Sequence, residues 1–160
     1  MPAARDTTDQ HLRKALEPLI EAEGFQCVEV QLHRSRRARS LRVIVYRESG
    51  MDADSLERLT RGIQFHLPLL VDPGGGALND LSLEVSSPGI ERALRQPHEY
   101  AIFAGKAVRV LRDNSSTWEH AVIEHAAGDD VTLRFAATTT TIPIANIRRA
   151  QLTGADTGGA

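Results

Sequence analysis

Apolar positions recur at three- and four-residue steps in two stretches of the chain and at two-residue steps through most of the remainder. Leu12, Leu16, Leu19 and Ile20 share one helical stripe that stops at Gly24. This predicts a first amphipathic helix, with Thr7, Thr8 and Asp9 as cap-type residues ahead of it. Pro18 lies inside that stripe, where it removes the bond to Lys14 and predicts a kink or a split. A second stripe, Leu56, Leu59, Ile63, Leu67 and Leu70, is the strongest helical pattern in the chain. Asp52 and Asp54, with Glu57 three residues beyond the second, form a capping-box-like start. Gly62 weakens this helix by about 1 kcal/mol relative to alanine, and Pro68 is expected to end or bend it.

Between the two helices the period changes to two. Val28, Val30 and Leu32 alternate with Glu29, Gln31 and His33, and Leu41, Val43 and Val45 form one row within residues 39–47. These strands predict a hairpin around Arg34-Ser35-Arg36-Arg37-Ala38, a tip without an Asn-Gly or Asp-Gly pair and therefore expected to be flexible. After a loop at Asp72-Pro73-Gly74-Gly75-Gly76, Leu81, Leu83 and Val85 alternate with Ser82, Glu84 and Ser86, a third strand with one face in water. Ser87-Pro88-Gly89 ends it: Pro88 has a fixed φ and no N–H, and Gly89 tolerates a positive φ, which together fit a tight turn. The first half thus reads α-β-β-α-β, a three-stranded sheet carrying two helices on one face.

Residues 96–105 read as a short helix with Pro97 at an early position and Gly105 closing it. From Lys106 onward, short alternating runs cover residues 107–111, 118–124, 131–135, 140–142 and 148–152, separated by turn-rich residues 113–116 and 128–130. Several short strands at close spacing predict a small β-barrel. Pro143-Ile144-Ala145-Asn146-Ile147 resembles the single helical turn that SH3-like and Sm-like barrels place before their last strand. The fold class is α+β: an N-terminal domain over residues 1–89, a junction over 90–96, a barrel over 97–153 and a Gly/Ala tail over 154–160 expected to be disordered. Ser86, Ser87, Pro88 and Gly89 form the structural corner between the domains. There is no internal repeat.

Composition narrows the chemistry. Of 160 residues, 41% are hydrophobic and 25% charged, as in an ordinary globular protein. Aromatics are only 4%, which argues against a surface built mainly from stacked rings, and the net charge of −2 means that any nucleic-acid contact must use a local patch. Cys27 is the single cysteine, so no intramolecular disulfide is possible and a reducing compartment fits. Met1 to Gln10 lacks the apolar core of a signal peptide, and no stretch approaches the ~18 apolar residues of a membrane span; the expected location is the cytoplasm.

No catalytic constellation emerges. His11, His33, His66, His98, His120 and His125 are scattered without metal-site spacing. Ser86 and Ser87 lack the flanking glycines of a nucleophile elbow and fit turn-stabilising hydroxyls. Gly74-Gly75-Gly76 has no P-loop lysine, and Cys27 reads as a small buried side chain. No enzyme, metal or cofactor is expected. What remains is charge. Arg34, Arg36, Arg37, Arg39 and Arg42 crowd one hairpin with no acidic residue among them, either a tip that reaches along a phosphate backbone or a solvated turn. Arg92, Arg95, Lys106, Arg109 and Arg112 gather near the junction, where they reach RNA or pair with Glu91, Glu99 and Glu119. Arg148 and Arg149 open the last strand.

Leu83-Glu84-Val85-Ser86-Ser87-Pro88-Gly89, followed by an acidic residue and Arg92, closely resembles the signature of the bacterial ribosome maturation factor RimP family. Arg148-Arg149-Ala150-Gln151-Leu152 after Ile144-Ala145-Asn146-Ile147 adds to the likeness, which spans the chain from the first helix to Leu152. The resemblance implies an α/β N-domain, an Sm-like C-domain and no enzymatic activity. Its implied partners are the free small (30S) ribosomal subunit, the ribosomal RNA and the twelfth small-subunit ribosomal protein, S12, bound by a monomer during assembly. Thr60-Arg61 matches a Ser-Arg of the family, so Arg61 joins Arg34, Arg36, Arg37, Arg39, Arg42, Arg92, Arg109, Arg148 and Arg149 as candidate RNA-contacting residues. The chain departs from the family at Glu91-Arg92-Ala93, where Asp-Arg-Pro is usual, at Tyr46-Arg47, where an aspartate often follows the second strand, and in the Gly-rich loop at 74–76. The alternative reading is an Sm-like regulator of single-stranded RNA; a hydrolase centred on Ser86 or Ser87 is the weakest.

Overall fold

Helix α1 covers Ala4–Ala22 in the computed structural model, which describes residues 4–71 and 81–154 of the chain. The expected loop at 72–76 and, Gly154 apart, the expected tail lie outside the described residues. The helix starts earlier than its cap-type residues predict, so Thr7, Thr8 and Asp9 lie within it instead of ahead of it. Asp9 has a tertiary role: its Oδ1 accepts the backbone N–H of Leu32 at 2.9 Å, tying the helix to strand β1 (Gln26–Arg34). The helix also runs through Pro18 without splitting. Its end is a Schellman closure, in which the Phe25 N–H donates to the Ile20 carbonyl at 3.1 Å and the Gly24 N–H to that of Glu21 at 2.9 Å. Gly24 takes φ +86°, a conformation that a Cβ would strain.

Strand β1 pairs antiparallel with β2 (Arg39–Tyr46), and β2 pairs parallel with β3 (Leu81–Ser86), giving the order β1-β2-β3. The parallel pair requires a crossover, and helix α2 (Ala53–Val71) supplies it. The hairpin tip is a closed turn: the Ser35 N–H and Oγ both donate to the Ala38 carbonyl at 2.9 Å, and the Ala38 N–H returns to Ser35 Oγ at 3.1 Å. A hydroxyl thus closes a turn that has no Asn-Gly or Asp-Gly pair. A bulge between Cys27 and Glu29 shifts the alternation of β1. As a result Cys27, and not Val28, joins Val30 and Leu32 in the core cluster, together with Leu16 and Ile20 from α1, Leu41, Val43 and Val45 from β2, and Leu59 and Ile63 from α2. Both helices therefore cover one face of the sheet. Burial pushes the Cys27 thiol up to about 12, which leaves it protonated and unreactive at neutral pH.

Asp52 caps α2, but through Ser55 and not through Glu57. Its Oδ1 accepts the Ser55 N–H and its Oδ2 the Ser55 hydroxyl, both at 2.8 Å, while Glu57 pairs with Arg61. Pro68 neither ends nor divides the helix, which continues to Val71. Gly62 faces Leu19 of α1, and a Cβ placed on it would meet Leu19 Cδ1 at 3.5 Å, an ordinary contact.

The chain separates into two compact units between Pro88 and Gly89. Gly89 does not adopt the left-handed conformation expected of it. The tight turn instead spans Gly89–Arg92, where the Arg92 N–H donates to the Gly89 carbonyl at 3.2 Å. The second unit contains β4 (Ala93–Leu94), α3 (Pro97–Ile102), β5 (Ala107–Arg112), β6 (Glu119–Ala127), β7 (Asp130–Arg134), β8 (Thr139–Pro143), a 3-10 turn at Ile144–Asn146 and β9 (Ile147–Leu152). Its sheet runs β4-β9-β5-β6-β7-β8, all antiparallel. Among the described residues no ladder joins the edge strands β4 and β8, so the expected barrel is seen as a six-stranded sheet. Strand β4, two residues long, is too short to show a period in sequence.

Two outcomes follow for helix α2. Gly62→Ala should stabilise the protein by about 1 kcal/mol, because alanine lowers the backbone entropy lost on folding and the site has room for the methyl; a lower denaturation midpoint by circular dichroism would contradict this. The Ser55 N–H, then the Arg47 guanidinium and the Ser55 hydroxyl, hold the Asp52 carboxyl well below its ordinary 3.8. The ionised cap therefore stabilises the fold at neutral pH, and that contribution is lost as acid protonates it. Asp52→Ala should lower the midpoint at pH 7, with the gap to the unsubstituted protein closing progressively below about pH 4.

Candidate nucleic-acid interface

In the first unit the hairpin β1–β2 carries its arginines to a solvent-exposed tip. Arg34, Arg36 and Arg37 are exposed and have no ion pair or hydrogen-bonded side-chain partner among the described residues. Arg34 and Arg39 stand opposite each other in the ladder, so their like charges meet across it. Arg39 is half-buried and engaged, and Arg42 faces Glu84 of β3 at 3.8 Å, a partner that becomes a neighbour only through the parallel β2–β3 register. Arg61 lies on the exposed side of α2, paired with Glu57 one turn earlier. Five arginines close in sequence thus resolve into three free cations at the tip and two engaged ones behind it.

Arg92 has a different environment. Its side chain is 10% exposed and that of Glu99 only 1%. Glu99 Oε1 accepts Arg92 Nε at 2.7 Å, and Oε2 accepts the backbone N–H groups of Arg95 and Gln96, each at 2.8 Å. One carboxylate therefore satisfies the guanidinium and two orphan donors at the start of α3, while the Arg92 carbonyl accepts the Leu152 N–H at 2.9 Å. A buried charge must be paired and hydrogen-bonded, so Arg92 is a packing element of the second unit. Similarly, Arg112 pairs with Glu119 and stacks over the Phe135 ring at 4.8 Å.

The outer face of β5 and β9 holds the second exposed cationic group. Val108 and Val110 point inward from β5, and Ala150 and Leu152 inward from β9, which leaves Arg109, Arg149 and Gln151 on the opposite side. The ladder sets Arg109 opposite Gln151, and both its Nη2 and its Nε donate to Gln151 Oε1, at 2.6 and 3.1 Å. The clamped guanidinium lies 4.6 Å from the centre of the Trp118 ring. Arg148 donates to the Ser115 carbonyl at 3.2 Å, at the β5–β6 turn. Arg95, Arg109, Trp118, Arg148, Arg149 and Gln151 line a concavity of about 360 Å³ with no acidic side chain in its wall. Trp118 is the residue missed by the sequence reading. It was one ring in an aromatic-poor chain, and only the β5–β6 pairing brings it onto Arg109. Among the described residues, no group of three or more His, Cys, Asp or Glu could hold a metal ion, and no helix is long and apolar enough to cross a membrane.

The class these features define is a two-unit α+β protein whose exposed cations collect at a hairpin tip and in a strand-face concavity. Residues 15–91 match the family model described as the RimP N-terminal domain, a span from within α1 to the turn before Arg92. This match supports the resemblance to the RimP family carried by the signature at residues 83–92.

The role assigned to Glu99 has a direct consequence. Glu99→Leu removes the acceptor for a buried guanidinium and two backbone N–H groups, and should destabilise the second unit by about 3–5 kcal/mol. Trp118, the only tryptophan, lies in that unit, so its fluorescence during urea denaturation is the measurement; an unchanged midpoint would show that the pair is not structural.

Proposed function

We propose that this protein is a maturation factor that binds the free small (30S) ribosomal subunit and assists its assembly near the twelfth small-subunit protein and the adjacent ribosomal RNA. It acts in the cytoplasm as a monomer, catalyses no covalent step, and its second unit is an Sm-like module. The observation that carries this reading is the match of residues 15–91 to the RimP N-terminal domain. The three unpaired arginines at the tip of β1–β2 support it, because contact with an RNA backbone needs exposed cations whose charge is not already neutralised. Such a factor works by differential affinity: it stabilises the conformer of immature RNA that accepts the next protein, and it releases when that conformer is no longer on offer.

Sedimentation of the protein with purified small subunits at several salt concentrations tests this. Comigration should fall as salt rises, and Arg34→Ala, Arg36→Ala and Arg37→Ala together should reduce the slope of log K against log salt by about 2 to 3, the loss of roughly three phosphate contacts. A protein that stays at the top of the gradient at low salt, as a stand-alone regulator of short RNA strands would, overturns the proposal.

A further inference from the structure

We infer that the concavity on the outer face of β5 and β9 binds a single unpaired nucleotide of RNA, its base stacked on the Arg109–Trp118 pair and its phosphate held by Arg95, Arg148 and Arg149. This deepens, and rests on, the reading of the protein as an RNA-contacting assembly factor.

Four guanidinium groups line one wall with no carboxylate among them, in a chain whose net charge is negative. Like charges gathered around one concavity repel, and an anion entering it relieves that repulsion. The geometry adds more than charge. Arg109 is held over the Trp118 ring by its two bonds to Gln151, and Gln151 is itself fixed by donating from Nε2 to the Glu91 carbonyl at 2.9 Å. A planar cation and an aromatic ring, ordered before any ligand arrives, are the surface on which an unstacked base settles at low entropic cost. A carboxylate of an acidic peptide could use the cations but would have no use for the ring. At about 360 Å³ the concavity is near the small end of the ~300–1,000 Å³ typical of ligand sites, a size for one nucleotide and not for a duplex groove. The phosphate side is open: Arg95 and Arg149 are exposed and have no side-chain partner among the described residues.

Because Trp118 is the only tryptophan, the full-length chain reports on its own site. Titration with hexauridylate and hexaadenylate at low salt should quench its fluorescence saturably, and the quenching should weaken as salt is added. Arg95→Ala with Arg149→Ala removes two solvent-facing side chains without touching the Arg92–Glu99 pair. By anisotropy of a labelled oligonucleotide, this double variant should bind about tenfold more weakly, as should Trp118→Leu. A deca-glutamate peptide that quenches with the same affinity would make this an acidic-protein surface and overturn the inference, and equal binding of a short RNA duplex would overturn it as well. Absence of quenching, with the unsubstituted protein still comigrating with small subunits, overturns the nucleotide site and leaves the proposed function standing. Quenching by the oligonucleotides, with the protein at the top of the gradient, supports the site and removes the subunit reading.

Discussion

An arginine side chain keeps its positive charge under any condition a folded protein meets, so each one must be compensated inside the fold or left in contact with water or an anion. That constraint orders the surface of this protein. Where burial is nearly complete, at Arg92, the guanidinium and two backbone N–H donors are arranged around a single acceptor, the Glu99 carboxylate. Where it is partial, at Arg109 and Arg112, the charge lies over an aromatic ring and is steadied by an amide or a carboxylate. Where the side chain is in water, at Arg34, Arg36, Arg37, Arg95 and Arg149, no partner is found among the described residues, and the charge remains available.

The scaffolding beneath those charges is what makes them usable. The hairpin tip is held by the Ser35 hydroxyl and backbone, so its arginines project from a closed turn. Behind the tip, the sheet is covered on one face by α1 and α2, and Asp9 pins α1 to the strand that leads to the tip. In the second unit the alternation of β5 and β9 fills the interior with Val108, Val110, Ala150 and Leu152, and the same alternation presents Arg109, Arg149 and Gln151 outward as one set. The cationic face is the reverse side of the packing pattern.

The signature stretch at residues 83–92 has two physical meanings. Leu83 and Val85 pack against the core of the first unit, while Arg92, nine residues after Leu83, anchors the second. Between them lies Pro88, followed by the turn at Gly89–Arg92. The arginine of this signature is a buried structural ion. That role depends on Glu99, which the signature does not contain.

The elements themselves were legible in the chain because their signals are local. A helical stripe, a two-residue alternation and a glycine able to take a positive φ each act within a few residues, and so α1, α2, the hairpin, β3 and the strands of the second unit all appear near their expected places. Pro18 does not split its helix and Pro68 does not end its own, since tertiary packing along the apolar stripe keeps both continuous. The start of α1 was misplaced for a related reason: Asp9 finds a partner, the Leu32 N–H, that the local pattern does not specify. Which arginines are free was decided only by the tertiary structure. Glu84 reaches Arg42, Glu99 reaches Arg92, and Trp118 with Gln151 reaches Arg109 through strand registers and turns that join distant parts of the chain. The sequence determines which charges exist and on which strands they lie; only folding determines which of them are already neutralised, because charge pairing depends on distance in space.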